Sequence, residues 1–239
     1  MISRFKYSDM SITGSLLSRL NRLLSQFSDS GQISQQEIRE RLRLLGHPRS
    51  VVSKISVALD GSPLPWYTSS AIEYLKSLDL DGMSVFEYGS GYSTLFFEGK
   101  GCSVTSVEHD ELWFHQISRI SKSKNLHLET NINRYVKSIS NSSKPRFDII
   151  AIDGIDRERC CRHAIQYLSE SGFIILDNSD WSFGAMNFLS KQDLIRIDFS
   201  GFGPINNYTW TTSIFAQRSV KLAFLEYPKP VGGINNSLD

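Results

Sequence analysis

The chain has 239 residues, 40% hydrophobic and 21% charged, ordinary globular material long enough to bury roughly 70–75% of its unfolded surface. Its 26 lysines and arginines against 25 aspartates and glutamates leave a formal net charge of +1, so no global field draws it to nucleic acid or to an anionic membrane surface. No stretch reaches the ~18 uncharged apolar residues of a membrane span. Met1-Ile2-Ser3-Arg4-Phe5-Lys6 lacks the apolar core of a signal peptide. The cysteine count is odd, Cys102 with the adjacent pair Cys160-Cys161, and the expectation is reduced thiols and a cytoplasmic location.

In chain order, Leu16, Leu17, Leu20, Leu23, Leu24 and Phe27 recur at helical spacing and predict an amphipathic helix over 13–28, packed on the body or, in a homo-oligomer, on a second subunit. Ser34 and Glu37 form a capping box for a second helix, with Ile38, Leu42 and Leu45 as its stripe and Gly46-His47-Pro48 as its stop. These two make an N-terminal helical cap, residues 1–57. A turn-rich linker from Asp60 to Trp66 precedes a helix capped by Thr68 or Ser69 and running through Ala71, Ile72, Tyr74 and Leu75.

From Ser84 onward, strand-like runs alternate with helical or polar segments: Val85 to Tyr88, Val104 to Val107, Leu126 to Glu129, Phe147 to Ile152 and Phe173 to Leu176. That alternation reads as a doubly wound α/β sheet. Leu194 to Phe199 and Trp210 to Ala216 are separated only by Ser200 to Thr209, too short for a helical crossover, so they pair as an antiparallel hairpin. The expected architecture is a seven-stranded, mostly parallel sheet over 58–219 ending in that hairpin, with a loose tail at 220–239.

The first strand feeds into Glu87-Tyr88-Gly89-Ser90-Gly91 and then into a helix-compatible stretch, the layout of a nucleotide-binding βα turn. Glu87 decides what that turn holds. At ~5 Å and an effective dielectric of ~20, each like-charge pair with a pyrophosphate costs roughly 3 kcal/mol. A cationic ligand makes the same carboxylate attractive. Thr94 also stands where the dinucleotide fingerprint has Gly or Ala. Glu108 follows Gly89 by 19 positions, close to the ~20 at which an acid meets ribose hydroxyls, and His109 beside it flanks the adenine or is an ordinary loop histidine. Asn131 to Asn133 offer a further adenine edge.

Glu87-x-Gly89-x-Gly91 resembles the acidic-x-Gly-x-Gly motif of class I S-adenosylmethionine-dependent methyltransferases, with Ser93 where many members carry a third glycine. The resemblance covers residues ~60 to 217. It implies a Rossmann-like fold, S-adenosylmethionine as cofactor, and contacts to it from Glu87, Gly89, Ser90, Gly91, Ser93, Glu108, His109 and Asp153. Trp66 and Tyr67 close over the cofactor or over an acceptor ring, or pack in the core.

The fourth strand ends in Asp153-Gly154 and the fifth in Asp177-Asn178, which brings oxygen-bearing side chains to the ligand end of the sheet. Asp153, Asp177 and Asn178 resemble the Mg²⁺ ligands of catechol and caffeoyl-CoA type O-methyltransferases, and on that resemblance Asp153 and Asp177 are catalytic. Asp156 stands where those enzymes have a lysine base. The alternative for Asp177-Asn178 is a turn after a buried strand. Arg157, Arg159 and Arg162 near Cys160-Cys161 would depress a thiol pKa unless the cysteines are buried. The loop from Gly201 to Trp210 supplies Asn206, Tyr208 and Trp210 as lid candidates. The sequence thus predicts methyl transfer to a small-molecule acceptor, through oxygen. An NAD-dependent oxidoreductase and a catalytically inactive methyltransferase-like scaffold are its rivals.

Overall fold

The computed structural model describes residues 34–225 with 230 and 231; the helix expected over 13–28 and most of the tail lie outside them. The described residues from Arg41 onward belong to one compact unit, and 34–40 to another. Helix α1 (Gln35–Leu44) opens on the expected reciprocal box, the Glu37 N–H donating to Ser34 Oγ at 3.1 Å and the Ser34 N–H to Glu37 Oε2 at 2.7 Å. Gly46, at φ 81°, ends it. The same stop is also a start: Pro48 falls in the first turn of α2 (His47–Ser53), where its missing N–H leaves nothing unpaired.

Helix α3 (Ser69–Ser77) begins after Thr68 without a side-chain cap. The expected cap is replaced by a tertiary bond, Thr68 Oγ1 donating to Phe199 O at 3.0 Å. The alternating segments follow as β1 (Ser84–Tyr88), α4 (Tyr92–Gly99), β2 (Ser103–Glu108), α5 (Glu111–Ser118), β3 (Leu126–Leu128), α6 (Ile132–Lys137), β4 (Phe147–Ile152), α7 (Arg157–Ala164), β5 (Leu168–Leu176), α8 (Phe183–Leu189), β6 (Leu194–Gly201) and β7 (Trp210–Gln217). These strands form one sheet in the order β3-β2-β1-β4-β5-β7-β6. The first five pair in parallel, and β7 pairs antiparallel with both β5 and β6. This is the mostly parallel sheet with a terminal antiparallel hairpin that the apolar runs imply.

Both faces of the central strands β4 and β5 are covered where they pair, so Ile149 to Ile152 and Phe173 to Leu176 read as continuous apolar runs. In β4, Ile149 and Ala151 join one core cluster, with Leu75 of α3 and Phe97 of α4, while Ile150 and Ile152 join the other, with Tyr135 of α6 and Ala164 of α7. The period of two in β1 puts Glu87 on the same face as Val85, the face that α4 covers. A carboxyl group therefore sits in an apolar layer, and Glu87 is fully buried. After β7, Leu78 and Phe224 bridge antiparallel, which ties residues up to 225 back to the end of α3. Among the described residues no helix is long and apolar enough to cross a membrane.

The turn after β1 is held close to the loop after β4. Gly89 has φ 91° and a Cβ there would lie 2.8 Å from the Gly154 nitrogen. Gly82, at φ 75°, faces open space. Gly82→Ala is therefore expected to cost about 1 kcal/mol from backbone strain alone. Gly89→Ala, with strain and a backbone clash, should cost about 3 kcal/mol. Urea unfolding of the two variants side by side measures the difference.

Candidate functional site

Strand order reverses between β1 and β4, and open α/β sheets take ligands beyond the carboxyl ends of the strands at such a point. A cavity of about 530 Å³ opens there, inside the ~300–1,000 Å³ range of small-molecule sites. The chain has four tryptophans, and Trp66, Trp113, Trp181 and Trp210 all line this cavity. Gly89, Ser90, Gly91, Ser93, Glu108, His109, Asp153, Asp177 and Asn178 line it too.

Glu87 does not line it. Its carboxyl lies beneath the turn, where Oε2 accepts from Thr94 Oγ1 at 2.5 Å and from Ser106 Oγ at 2.8 Å. Oε1 is buried with no hydrogen-bond partner. Burial pushes its pKa up to about 7, against the Ser93, Thr94 and Ser106 hydroxyls, which pull it down. Thr94 connects loop to strand, because its hydroxyl also accepts from the Gly91 N–H at 2.9 Å. The residue that breaks the dinucleotide fingerprint thus fastens the turn to the acid.

Glu108 ends β2 with all four acceptor positions of a carboxylate engaged. Oε2 accepts from Ser90 N at 2.9 Å and Ser90 Oγ at 3.3 Å, and Oε1 from His109 N at 2.7 Å and Asp110 N at 2.9 Å. His109 also brings Nδ1 to 2.9 Å from Oε1. Trp113 donates Nε1–H to the Ser90 carbonyl at 2.6 Å. A Cβ on Gly91 would lie no closer than 3.8 Å to any atom, facing the Trp113 ring, so this glycine keeps the wall open rather than relieving strain.

At the β4 and β5 ends the expected metal ligands meet a different cation. A guanidinium has five N–H donors, and Arg157 places all five. Nε donates to Gly154 O (3.0 Å), Nη1 to Asp177 O (2.5 Å) and Asn178 Oδ1 (2.8 Å), and Nη2 to Asp153 O (2.8 Å) and Asp153 Oδ1 (3.0 Å). The Asp177 carboxyl turns away from this group, its Oδ1 accepting from Trp210 Nε1 at 3.0 Å and Thr212 Oγ1 at 2.5 Å. Burial and then the Asp153 charge hold Asp177 well above the usual carboxylate range; Asp153 is raised by burial despite Arg157. A Mg²⁺ site needs several oxygens free to converge. Here two of the three expected ligands bind a guanidinium and the third faces β7, so Asp153, Asp177 and Asn178 do not fit a divalent ion. Among the described residues no cluster of three or more His, Cys, Asp or Glu side chains is arranged for one. Asp177, expected to be catalytic, is anchored as a link to β7.

Other expectations shift as well. Tyr67 is fully buried core, whereas Trp66 keeps 42% of its surface exposed at the cavity. Asn131 accepts from Asn133 N and Arg134 N as the cap of α6, and Asn133 accepts from Arg159; neither lines the cavity. Cys160 and Cys161 are buried free thiols, and burial raises their pKa values, that of Cys160 to about 12, against the neighbouring arginines. Sequence reasoning missed Trp113, Trp181 and Lys54 as lining residues. Lone side chains carry no spacing signal, and Lys54 fell within the expected cap.

No family model matches the chain, and no curated protein matches it. Solved structures resemble it in fold. The O-methyltransferase TomG from Streptomyces achromogenes, involved in tomaymycin synthesis and solved with S-adenosylmethionine, is 11% identical, with 84% of this chain and 97% of that one covered at a TM-score of 0.49. Spermidine synthase from Thermotoga maritima is 16% identical over 67% of this chain and 62% of that one, at 0.48. A Streptococcus mutans protein named for S-adenosylmethionine-dependent methyl transfer is 19% identical over 60% of this chain, at 0.43, and this chain spans 47% of its length. At these values the likeness concerns the course of the backbone alone.

Two measurements test the site. Arg157→Ala removes five hydrogen bonds and leaves Asp153 unpaired, with an expected loss of about 3 kcal/mol in urea unfolding. Wild-type protein should leave the electron paramagnetic resonance spectrum of added Mn²⁺ that of the free ion. The Glu87 pKa of about 7 lies above its ordinary 4.5, so the folded state holds a proton that the unfolded state releases. Its stabilising contribution is full below pH 4.5 and is lost as pH rises through 7. Glu87→Gln should lessen that decline in a melting-temperature series, the remainder coming from the raised Asp153 and Asp177 carboxyls.

Proposed function

We propose that this chain transfers the methyl group of S-adenosylmethionine to a small-molecule oxygen by in-line displacement. The observation that carries the reading is the buried Glu87 carboxyl, one oxygen unpartnered, directly beneath the glycine turn that borders the cavity. A buried acceptor without a donor is costly, and a cation above the turn answers it where a pyrophosphate would worsen it. The donor brings an ammonium and a sulfonium, and supplies the methyl group.

In this reading Glu87 acts through one layer of backbone rather than by contact, and the 23% of the Asp153 side chain left open receives the ammonium. Ser90, Gly91 and Ser93 form the wall along the methionine portion. Glu108 takes a ribose hydroxyl in exchange for its weakest partner, Ser90 Oγ at 3.3 Å. His109 and Trp113 border the adenine. Arg157 holds the β4 and β5 ends in register, so that Asp153 is a fixed target; no step requires a metal. The catalytic domain in this reading spans 58–219, behind an N-terminal cap at 1–57 and before a tail at 220–239, with Lys54, Ile55 and Ser56 of the cap lining the cavity.

Because every tryptophan lines the cavity, intrinsic fluorescence reports its occupancy. S-adenosylhomocysteine should quench it saturably, and Gly91→Ala, which narrows the wall without strain, should weaken that binding roughly tenfold while leaving the melting temperature unchanged. Incubation with methyl-labelled donor and a panel of hydroxylated acceptors should then yield labelled product by mass spectrometry. Binding without transfer to any acceptor supports an inactive scaffold instead. Absence of quenching by the nucleoside removes the reading altogether.

A further inference from the structure

The charged side chains around the cavity differ in what they leave free. Glu108 has four donors from Ser90, His109 and Asp110. Asp110 caps α5 by accepting from Trp113 N at 2.8 Å. Asp153 is paired with Arg157 at 3.0 Å, and Asp177 with Trp210 and Thr212. His109 is turned to Glu108. Lys54 is the one lysine or arginine on the described lining, and among the described residues its ammonium has no hydrogen bond or ion pair.

Its root is held in place. Lys54 closes α2 in the left-handed region, φ 56°, which a residue with a side chain adopts only when its surroundings require it. The strand of chain that follows supplies the requirement, with Ser50 Oγ donating to Val57 O at 2.9 Å, Val57 N donating back to Ser50 Oγ at 3.1 Å, and Ser56 Oγ donating to Pro65 O at 3.1 Å. The charge is thus presented from a fixed backbone at an exposed rim.

The aromatic lining divides in the same way. Trp113 and Trp210 spend their indole N–H groups within the chain. Trp66 and Trp181 show no such bond among the described residues and are 42% and 55% exposed. Tyr208 packs against Trp181, ring centroids 5.7 Å apart, and receives Asn206 Nδ2–H at 2.8 Å. Flat apolar faces at a rim with one unpaired cation suit a ligand with an apolar body and a negative group. A cationic group at this rim would find Lys54 repulsive.

We propose that the acceptor carries a carboxylate or a phosphate, and that Lys54 is the residue that selects it, meeting that group at the cavity rim while Trp66, Trp181 and Tyr208 cover its apolar body. The proposal rests on the methyl-transfer reading for the word acceptor, but not for the anion site itself. The test titrates tryptophan fluorescence of protein saturated with S-adenosylhomocysteine against 4-hydroxybenzoate, phenyl phosphate, the uncharged 4-hydroxybenzamide and methyl glucoside. One or both anions should bind at least tenfold tighter than the two neutral probes, and the tighter anion names the group. Lys54→Ala and Lys54→Glu should remove the preference and Lys54→Arg should keep it, with S-adenosylhomocysteine affinity the same in all three. Equal affinity for benzoate and benzamide, preference for the glucoside, no binding of any probe at millimolar concentration, or an undiminished preference in Lys54→Glu would each overturn the proposal. Should S-adenosylhomocysteine itself fail to bind, the methyl-transfer reading falls. The same anion series on the ligand-free protein still decides the role of Lys54.

Discussion

Glu87 sits where apolar packing from α4 would ordinarily demand a hydrophobic side chain, and the rest of the site follows from how that carboxyl is accommodated. Two hydroxyls, of Thr94 and Ser106, satisfy one of its oxygens, and the other has none. The same Thr94 hydroxyl holds the Gly91 N–H, so the position of the glycine turn is tied to the acid beneath it. Burial raises the pKa to about 7, and a cation nearby favours the ionised form. A protein that only needed to fold would do better with a methyl group here. The fold accommodates the acid because the Thr94 and Ser106 hydroxyls reach it within an otherwise apolar layer.

A second constraint works at the other end of the cavity. Arg157 draws together Asp153, Gly154, Asp177 and Asn178, four residues from two strand ends, with a single side chain. That arrangement supplies a permanent positive charge where the resemblance to catechol-type enzymes implies a divalent ion. The two cations are not equivalent. A metal keeps positions open for substrate oxygens, whereas this guanidinium has no donor left to offer. Its effect is to orient Asp153 and to fix the loops. Asn178 adopts φ 47° in making its contact, a conformation that its short amide side chain tolerates.

The strand runs and the final hairpin were legible because period and length are local properties: Ile149 to Ile152 is apolar on both faces, and ten residues cannot make a helical crossover. Glu87 and Glu108 were legible as a pair because their spacing is set by one βαβ unit. What the sequence hid was tertiary. Thr68 looked like a helix cap and instead bonds across to β6. Asp177 and Asn178 looked like free ligands because nothing local reveals that Arg157, twenty positions earlier, reaches them. Trp113 and Trp181 stand alone in their segments, with no pattern to connect them to a cavity that strand order assembles.

The central claim is electrostatic: a buried acid under the turn favours a positively charged nucleoside over a diphosphate. Isothermal titration of the wild-type protein with S-adenosylmethionine and, separately, with NAD at the same ionic strength and pH 7.5 tests it most directly. The account predicts saturable heat with the sulfonium compound and none with the dinucleotide. Saturable heat with NAD and none with S-adenosylmethionine would contradict it.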